Sequence, residues 1–125
     1  MKQEAQKSLG REGEALAAEF LVRQGYRILE RNYRCCLGEI DLIAEKGGDL
    51  FFVEVKSRRS LEEVSPFELI SDSKQRHLSR VALHYVACNR FHDRNGSFAL
   101  VAVDYSGPRP QCELVLDIFD LQAGY

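Results

Sequence analysis

Three residues in the first half of the chain have types and spacing that could do chemistry. Asp41 and Glu54 are separated by twelve residues, and Lys56 follows two positions later, giving Asp-x12-Glu-x-Lys. Two carboxylates held close together repel, and burying them is costly unless a cation is shared between them. A ligand set of oxygens alone suits Mg²⁺ or Mn²⁺ better than zinc. Such an ion lowers the pKa of bound water and polarises a phosphoryl oxygen. An ammonium group beside it can orient the attacking water or offset charge growing on the phosphate. Asp41, Glu54 and Lys56 are thus the parts of a metal-dependent phosphodiester hydrolase. The same residues on exposed strand faces would form ordinary salt bridges, and spacing alone leaves that alternative open.

The elements that must position these residues are readable from periodicity. Glu39 to Ala44 alternates, with Ile40, Leu42 and Ala44 facing one way and Glu39, Asp41 and Ile43 the other. Lys46-Gly47-Gly48-Asp49 is a hairpin turn, and Leu50 to Lys56 is the returning strand. On that strand Phe51, Val53 and Val55 share one face, and Phe52, Glu54 and Lys56 the other. Cross-strand neighbours lie about 5 Å apart and diagonal ones about 7–8 Å, so the hairpin can bring Asp41 and Glu54 to one cation.

Around this hairpin, Leu9, Gly13, Leu16, Ala17, Phe20 and Leu21 have helical spacing, with Gly25 as a stop signal. Tyr26 to Tyr33 reads as a strand with Tyr26, Ile28 and Glu30 on one face, and Arg34 to Leu37 as a connection closed by Gly38. After Ser57 a polar connection containing Pro66 leads to a helix from about Ser71 to Cys88, whose buried stripe is Leu78, Val81, Ala82, Tyr85 and Val86. Phe98 to Val103 is apolar on both faces, as in a strand covered on both sides, and Glu113 to Phe119 is a last strand near an edge. The predicted order is α-β-β-β-α-β-β, an α/β fold with a sheet flanked by helices.

Bulk properties fit this frame. The 125 residues suit a single domain, 1–125, and 45% apolar with 29% charged residues is ordinary for a globular chain. No apolar run approaches the roughly 18 residues of a membrane span, and Met1 to Gly10 lacks a signal-peptide pattern, so the expectation is a cytoplasmic protein without a membrane partner. Cys35, Cys36, Cys88 and Cys112 have no Cys-x-x-Cys spacing and are expected to be reduced. His77, His84 and His92 show no ligand spacing. Net charge is −2, but Asp104 to Tyr125 holds four acids against one base, leaving 16 bases and 15 acids before it. Bases cluster at Arg27/Arg31/Arg34, Lys56/Arg58/Arg59, Lys74/Arg76/Arg80 and Arg90/Arg94, and could neutralise phosphates if they share a face.

Read in order, Gly10-Arg11-Glu12-Gly13-Glu14-Ala15, Gly25-Tyr26-Arg27-Ile28-Leu29, Gly38-Glu39-Ile40-Asp41-Leu42-Ile43-Ala44, Phe52-Val53-Glu54-Val55-Lys56-Ser57-Arg58 and Lys74 resemble the pattern of the bacterial YraN-like family, over about residues 9 to 105. That family is similar to the PD-(D/E)XK nuclease superfamily and closest to archaeal Holliday junction resolvases. The resemblance implies a restriction-endonuclease-like mixed sheet. It makes Asp41 and Glu54 central metal ligands, Glu14 a helical acid assisting them, Lys56 the catalytic lysine and the Val55 carbonyl a further ligand. Glu39, two residues before Asp41, is a candidate acid behind these ligands. Arg58, Arg59 and Lys74 are candidate contacts to flanking phosphates. Two positions depart from the pattern: Ile40 replaces the superfamily's proline, and Ser97-Phe98-Ala99 stands where many relatives carry Arg-Phe-Asp.

The expected activity is a Mg²⁺- or Mn²⁺-dependent nuclease, selective for DNA structure such as branches, flaps or ends. Sequence readout is not expected, because no groove-reading element is visible. Related resolvases act as dimers, which raises a homodimer here, although no residue pattern marks its interface. Two other functions compete: a nucleic-acid-binding module that keeps the fold without cutting, and an interaction protein that docks through the acidic last strand, Glu113 to Asp120. Tyr33 and Arg34, in the connection before Gly38, read first as loop packing.

Overall fold

A computed structural model describes residues 2–59 and 70–121, with side chains from Gly10 onward. The elements are α1 (Lys2–Arg23), β1 (Arg27–Cys35), β2 (Gly38–Lys46), β3 (Asp49–Arg58), α2 (Asp72–Asn89), β4 (Gly96–Asp104) and β5 (Gln111–Val115). This is the order read from the sequence. The connection containing Pro66 lies outside the described residues.

The five strands form one sheet in the order β1-β2-β3-β4-β5. β1–β2, β2–β3 and β4–β5 are antiparallel, whereas β3 and β4 run parallel, with α2 in the connection between them. Parallel neighbours require such a crossover. The architecture is the mixed α/β, restriction-endonuclease-like one. The β2–β3 hairpin closes as expected: Lys46 pairs with Asp49, and Gly47 and Gly48 take φ of 61° and 87°. Two consecutive positive φ values define the tight turn that glycine permits.

Each helix covers one face of the sheet. On the α1 side, Ala17, Ala18 and Leu21 pack with Leu42, Ala44, Val53, Ala99, Val101 and Val103. On the α2 side, Leu78, Val81, Ala82 and Tyr85 pack with Ile43, Leu50, Phe52 and Phe98. Burying each large aliphatic side chain contributes about 1.5–3 kcal/mol. The central strands β3 and β4 are therefore apolar on both faces, and a charged residue inside them is conspicuous.

The structure corrects the sequence reading at several points. Ile40 packs in the α2-side core, opposite to Leu42 and Ala44, so the alternation of β2 slips at Asp41. Arg31 pairs with Leu42 and Tyr33 with Ile40, which sets Asn32 opposite Asp41, and Asn32 has φ of 51°. A left-handed residue breaks the pleat of a strand, and the partner's facing pattern slips with it. A register shift between Ile28 and Glu30 turns Glu30 out to solvent. β1 extends to Cys35, so Arg34 is in the strand. β5 ends at Val115, well short of Phe119, because Ile118 turns to donate its N–H to the Phe98 carbonyl, and Phe119 stacks on Phe98.

Candidate active site

The decisive local feature is a split between β2 and β3. Their pairing ends at Leu42 and Val53. Where the next backbone bonds would form, the Asp41 carboxylate accepts the Val55 N–H at 2.8 Å. In an extended strand the N–H and C=O of one residue point toward the same neighbour. The Val55 carbonyl therefore opens onto the same gap, beside Asp41.

Glu54 faces the α2 side with Leu50 and Phe52 and is only 6% exposed. Its Oε1 lies 3.5 Å from Lys56 Nζ and 3.7 Å from Lys74 Nζ. Lys56 shares the strand face, and Lys74 arrives from the first turn of α2. That turn is fixed by Ser71, whose hydroxyl accepts the Lys74 N–H at 3.1 Å. At the other end of the same approach, Gly38 (φ 141°) lies under His77: a Cβ there would sit 2.2 Å from the ring Nε2. A side chain there would push the His77 ring aside, and the positive φ itself favours glycine.

Glu14 reaches the cluster from α1. The helix lies against β3 at Gly13, where an added Cβ would meet Ser57 Oγ at 2.6 Å. Glu14 is raised from the ordinary carboxylate value by burial, then by the charge of Asp41, while a hydrogen bond from Asn32 pulls it down. Burial also raises Asp41, against the Val55 N–H and the charges of Lys74 and Lys56. Glu54 is raised by burial and then by Asp41, against the same two lysines. The charges of Lys56 and Lys74 thus act on both Asp41 and Glu54, and Glu14 is joined to them through the charge of Asp41.

Among the described residues, no group of three or more His, Cys, Asp or Glu side chains is arranged to hold a metal ion. Asp41 is the link between the acids, since its charge raises both Glu54 and Glu14. Two buried carboxylates with upward-shifted pKa values and a strand carbonyl nearby are hard oxygen donors, with Lys56 and Lys74 beside Glu54 as the cations present. Oxygens of this kind are the donors that Mg²⁺ or Mn²⁺ would take, and an ion here would have to complete its shell with water or substrate oxygens.

Other expected residues fall as follows. Glu39 is largely exposed, bonded to Arg34 at 3.0 Å, and acts on Asp41 only through its charge. Arg58 is tied to Asp104 at 2.6 Å, so a phosphate would compete with that pair. Arg59 is exposed just beyond β3. Ala99 is wholly buried in the α1-side core, where an alanine completes apolar packing. Tyr33 packs edge-on against Tyr85 and bonds His84 at 3.0 Å. A cleft of about 670 Å³ opens beside Glu14, lined by Gly10, Arg11, Glu14, Asn32, Arg34 and Glu39. Arg11 and Asn32 were not singled out from the sequence. Their signals were there: Arg11 shares a helix face with Glu14, three residues on, and asparagine is disfavoured inside a strand.

Residues 13–103 match the model of the uncharacterised protein family UPF0102. The chain belongs to UPF0102. It is 44% identical over 115 residues to a UPF0102 protein of Syntrophus aciditrophicus, covering 92% of this chain and 91% of that one. A UPF0102 protein of Geobacter metallireducens is 43% identical over 92% of this chain and 94% of its own. One from Caldicellulosiruptor saccharolyticus is 55% identical over 64% of this chain and 68% of its own. UPF0102 is the YraN-like family whose motifs the sequence carries, with its PD-(D/E)XK-like pattern. The matched segment runs from Gly13, against which Ser57 packs, to Val103, and so includes every acid of the cluster.

Proposed function

We propose that this protein is a metal-dependent nuclease that hydrolyses phosphodiester bonds in nucleic acid, selecting branched or end-containing DNA by shape. The observation that carries the reading is the nearly buried Glu54, raised by the charge of Asp41 at the β2–β3 split, with two ammonium groups near its Oε1. A single salt bridge needs one acid, whereas metal binding draws several to one place.

Asp41, Glu54 and the Val55 carbonyl would hold Mg²⁺ or Mn²⁺, with Glu14 assisting. The ion would activate water and polarise the phosphoryl oxygen. Lys56 is placed to hold a water or a phosphate oxygen at its Nζ, and Lys74 to bind a flanking phosphate. The test compares cleavage of branched and linear DNA with Mg²⁺ by the parent, Asp41→Ala and Lys56→Ala. Metal-dependent cutting by the parent alone is the expected result, and equal cutting by all three would mean contamination.

A second reading is a binding module that does not cut. It is favoured by the occupancy of Glu54 Oε1 by Lys56 and Lys74, which already offsets the buried charge. Salt-dependent DNA binding without turnover would select it. A partner held through the edge at β5, with no DNA affinity, would select the interaction protein instead. The cytoplasm is the compartment proposed for all three. No described helix is long and apolar enough to cross a membrane.

A further inference from the structure

The cleft lined by Gly10, Arg11, Glu14, Asn32, Arg34 and Glu39 lies on the α1–β1 side of the carboxylates, away from Lys74 on α2. It shares Glu14 with the cluster, so whatever fills it adjoins the group bound at Asp41 and Glu54. Its two guanidinium groups differ. Arg34 is bonded to Glu39, whereas Arg11 is exposed and has no ion pair among the described residues. The Asn32 amide lies opposite Asp41 on β1 and can donate as well as accept.

We propose that this cleft is the subsite for the nucleotide next to the reacting phosphate, with Arg11 contacting the adjoining phosphate of the same strand. The inference rests on the nuclease reading above. A free guanidinium one helical turn from a metal-binding acid fits a repeating anion better than an isolated one, because successive phosphates keep a fixed spacing along a strand. The volume, about 670 Å³, is room enough for a sugar and base. Lys74 and Arg11 would then hold the strand from opposite sides of the metal.

Gly10 supplies a test that separates binding from folding. A Cβ at Gly10 meets nothing within 4 Å, and Gly10 lies inside α1, where replacing glycine stabilises a helix. The experiment titrates fluorescent branched DNA against the full chain with Ca²⁺, at several salt concentrations, for the parent, Gly10→Ala, Gly10→Leu, Arg11→Met and Lys74→Met, with Tm measured for each.

Gly10→Ala is expected to bind as the parent does with an unchanged or higher Tm. Gly10→Leu, equally well folded, should bind severalfold more weakly because its side chain fills the cleft. Arg11→Met should also weaken binding and flatten the salt dependence by about one unit of slope, the signature of one lost phosphate contact. If Lys74→Met weakens binding while Gly10→Leu and Arg11→Met do not, DNA is held beside the carboxylates without the cleft, and the subsite falls while the proposed function is left to the cleavage test. If Gly10→Leu weakens binding but Arg11→Met leaves the salt slope intact, the assignment of Arg11 is overturned. If the parent binds no DNA at low salt, the nuclease reading itself fails.

Discussion

The Asp41 carboxylate takes the place of a backbone acceptor for Val55, at 2.8 Å, where β2 and β3 part. One side chain therefore has two duties: it satisfies a strand N–H and it presents a second oxygen to the gap. The two duties can be separated by substitution. Asp41→Asn keeps an acceptor for Val55 while removing the charge, and it also relieves the charge that raises Glu54. Asp41→Leu leaves the N–H without a partner, at a cost of about 1–3 kcal/mol. In metal-free buffer near pH 8, Asp41→Asn is expected to be at least as stable as the parent, and Asp41→Leu less stable. Both should lose Mn²⁺ binding measured by calorimetry. An Asp41→Asn protein that unfolds earlier than Asp41→Leu would show that the hydrogen bond to Val55 is not what the carboxylate contributes.

The pH dependence of stability has a definite sign. Burial raises Asp41 and Glu54 above their ordinary values of 3.8 and 4.5. The folded state thus holds these protons more tightly than the unfolded one. The stability they contribute is complete below those ordinary values and is lost as pH rises through the folded ones. Asp104 behaves oppositely: hydrogen bonds from Ser106 and Arg58 lower it to about 2, so its contribution is present above 3.8 and is lost as pH falls toward 2. Above those ordinary values the raised carboxylates, Glu14 among them, set the slope. Urea unfolding in chelator should show the parent losing stability over that range, and Glu54→Gln should be distinctly flatter. Identical slopes would remove the pair as the cause. Mn²⁺ affinity should rise over the same range, since metal and protons compete for one site.

Lys56 and Lys74 share Glu54 Oε1 but belong to different elements, and their substitutions should part kinetically. Lys56 follows Glu54 on the same strand face and stays with the reacting groups. Lys74 is on a helix turn and can exchange Glu54 for a phosphate once metal is present. Lys56→Met is expected to lower kcat by about 10²–10⁴-fold with little change in DNA affinity. Lys74→Met should chiefly raise KM and the Kd for DNA. Single-turnover cleavage beside equilibrium binding measures both. A Lys56→Met protein that cuts at the parental rate would remove Lys56 from the chemistry.

Much of this site was legible in the sequence because periodicity governs it. The two-residue turn at Gly47-Gly48 fixes the β2–β3 register, and the alternation of β3 correctly set Glu54 and Lys56 on one face and Val53 and Val55 on the other. What escaped was whatever breaks a period. Asn32 in a left-handed conformation moved Ile40 to the opposite core from Leu42, and no alternation rule anticipates that slip. Partnerships between distant residues were equally hidden. Arg58 faces Asp104 only because β3 and β4 run parallel in that register. A single sequence offers no local signal for such a pairing.

Gly13 tests how tightly the helical acid depends on packing. Its missing Cβ lets α1 rest on Ser57, since a methyl there would fall 2.6 Å from Oγ but 3.9 Å, an ordinary contact, from the Ser57 Cβ. The obstruction is thus one hydroxyl. Gly13→Ala should force either the hydroxyl or the helix to shift, against a gain of about 0.5–1 kcal/mol from helix propensity. If the helix moves, Glu14 withdraws from Asp41 and Mn²⁺ affinity falls. The double variant Gly13→Ala with Ser57→Ala removes the obstruction while keeping the propensity gain. It is expected to exceed the parent in Tm and to recover the parental Mn²⁺ affinity. Recovery of Tm without recovery of metal affinity would mean that the Ser57 hydroxyl, rather than the seating of α1, serves the metal site. Full metal affinity in Gly13→Ala alone would mean that the hydroxyl turns aside and Glu14 keeps its place.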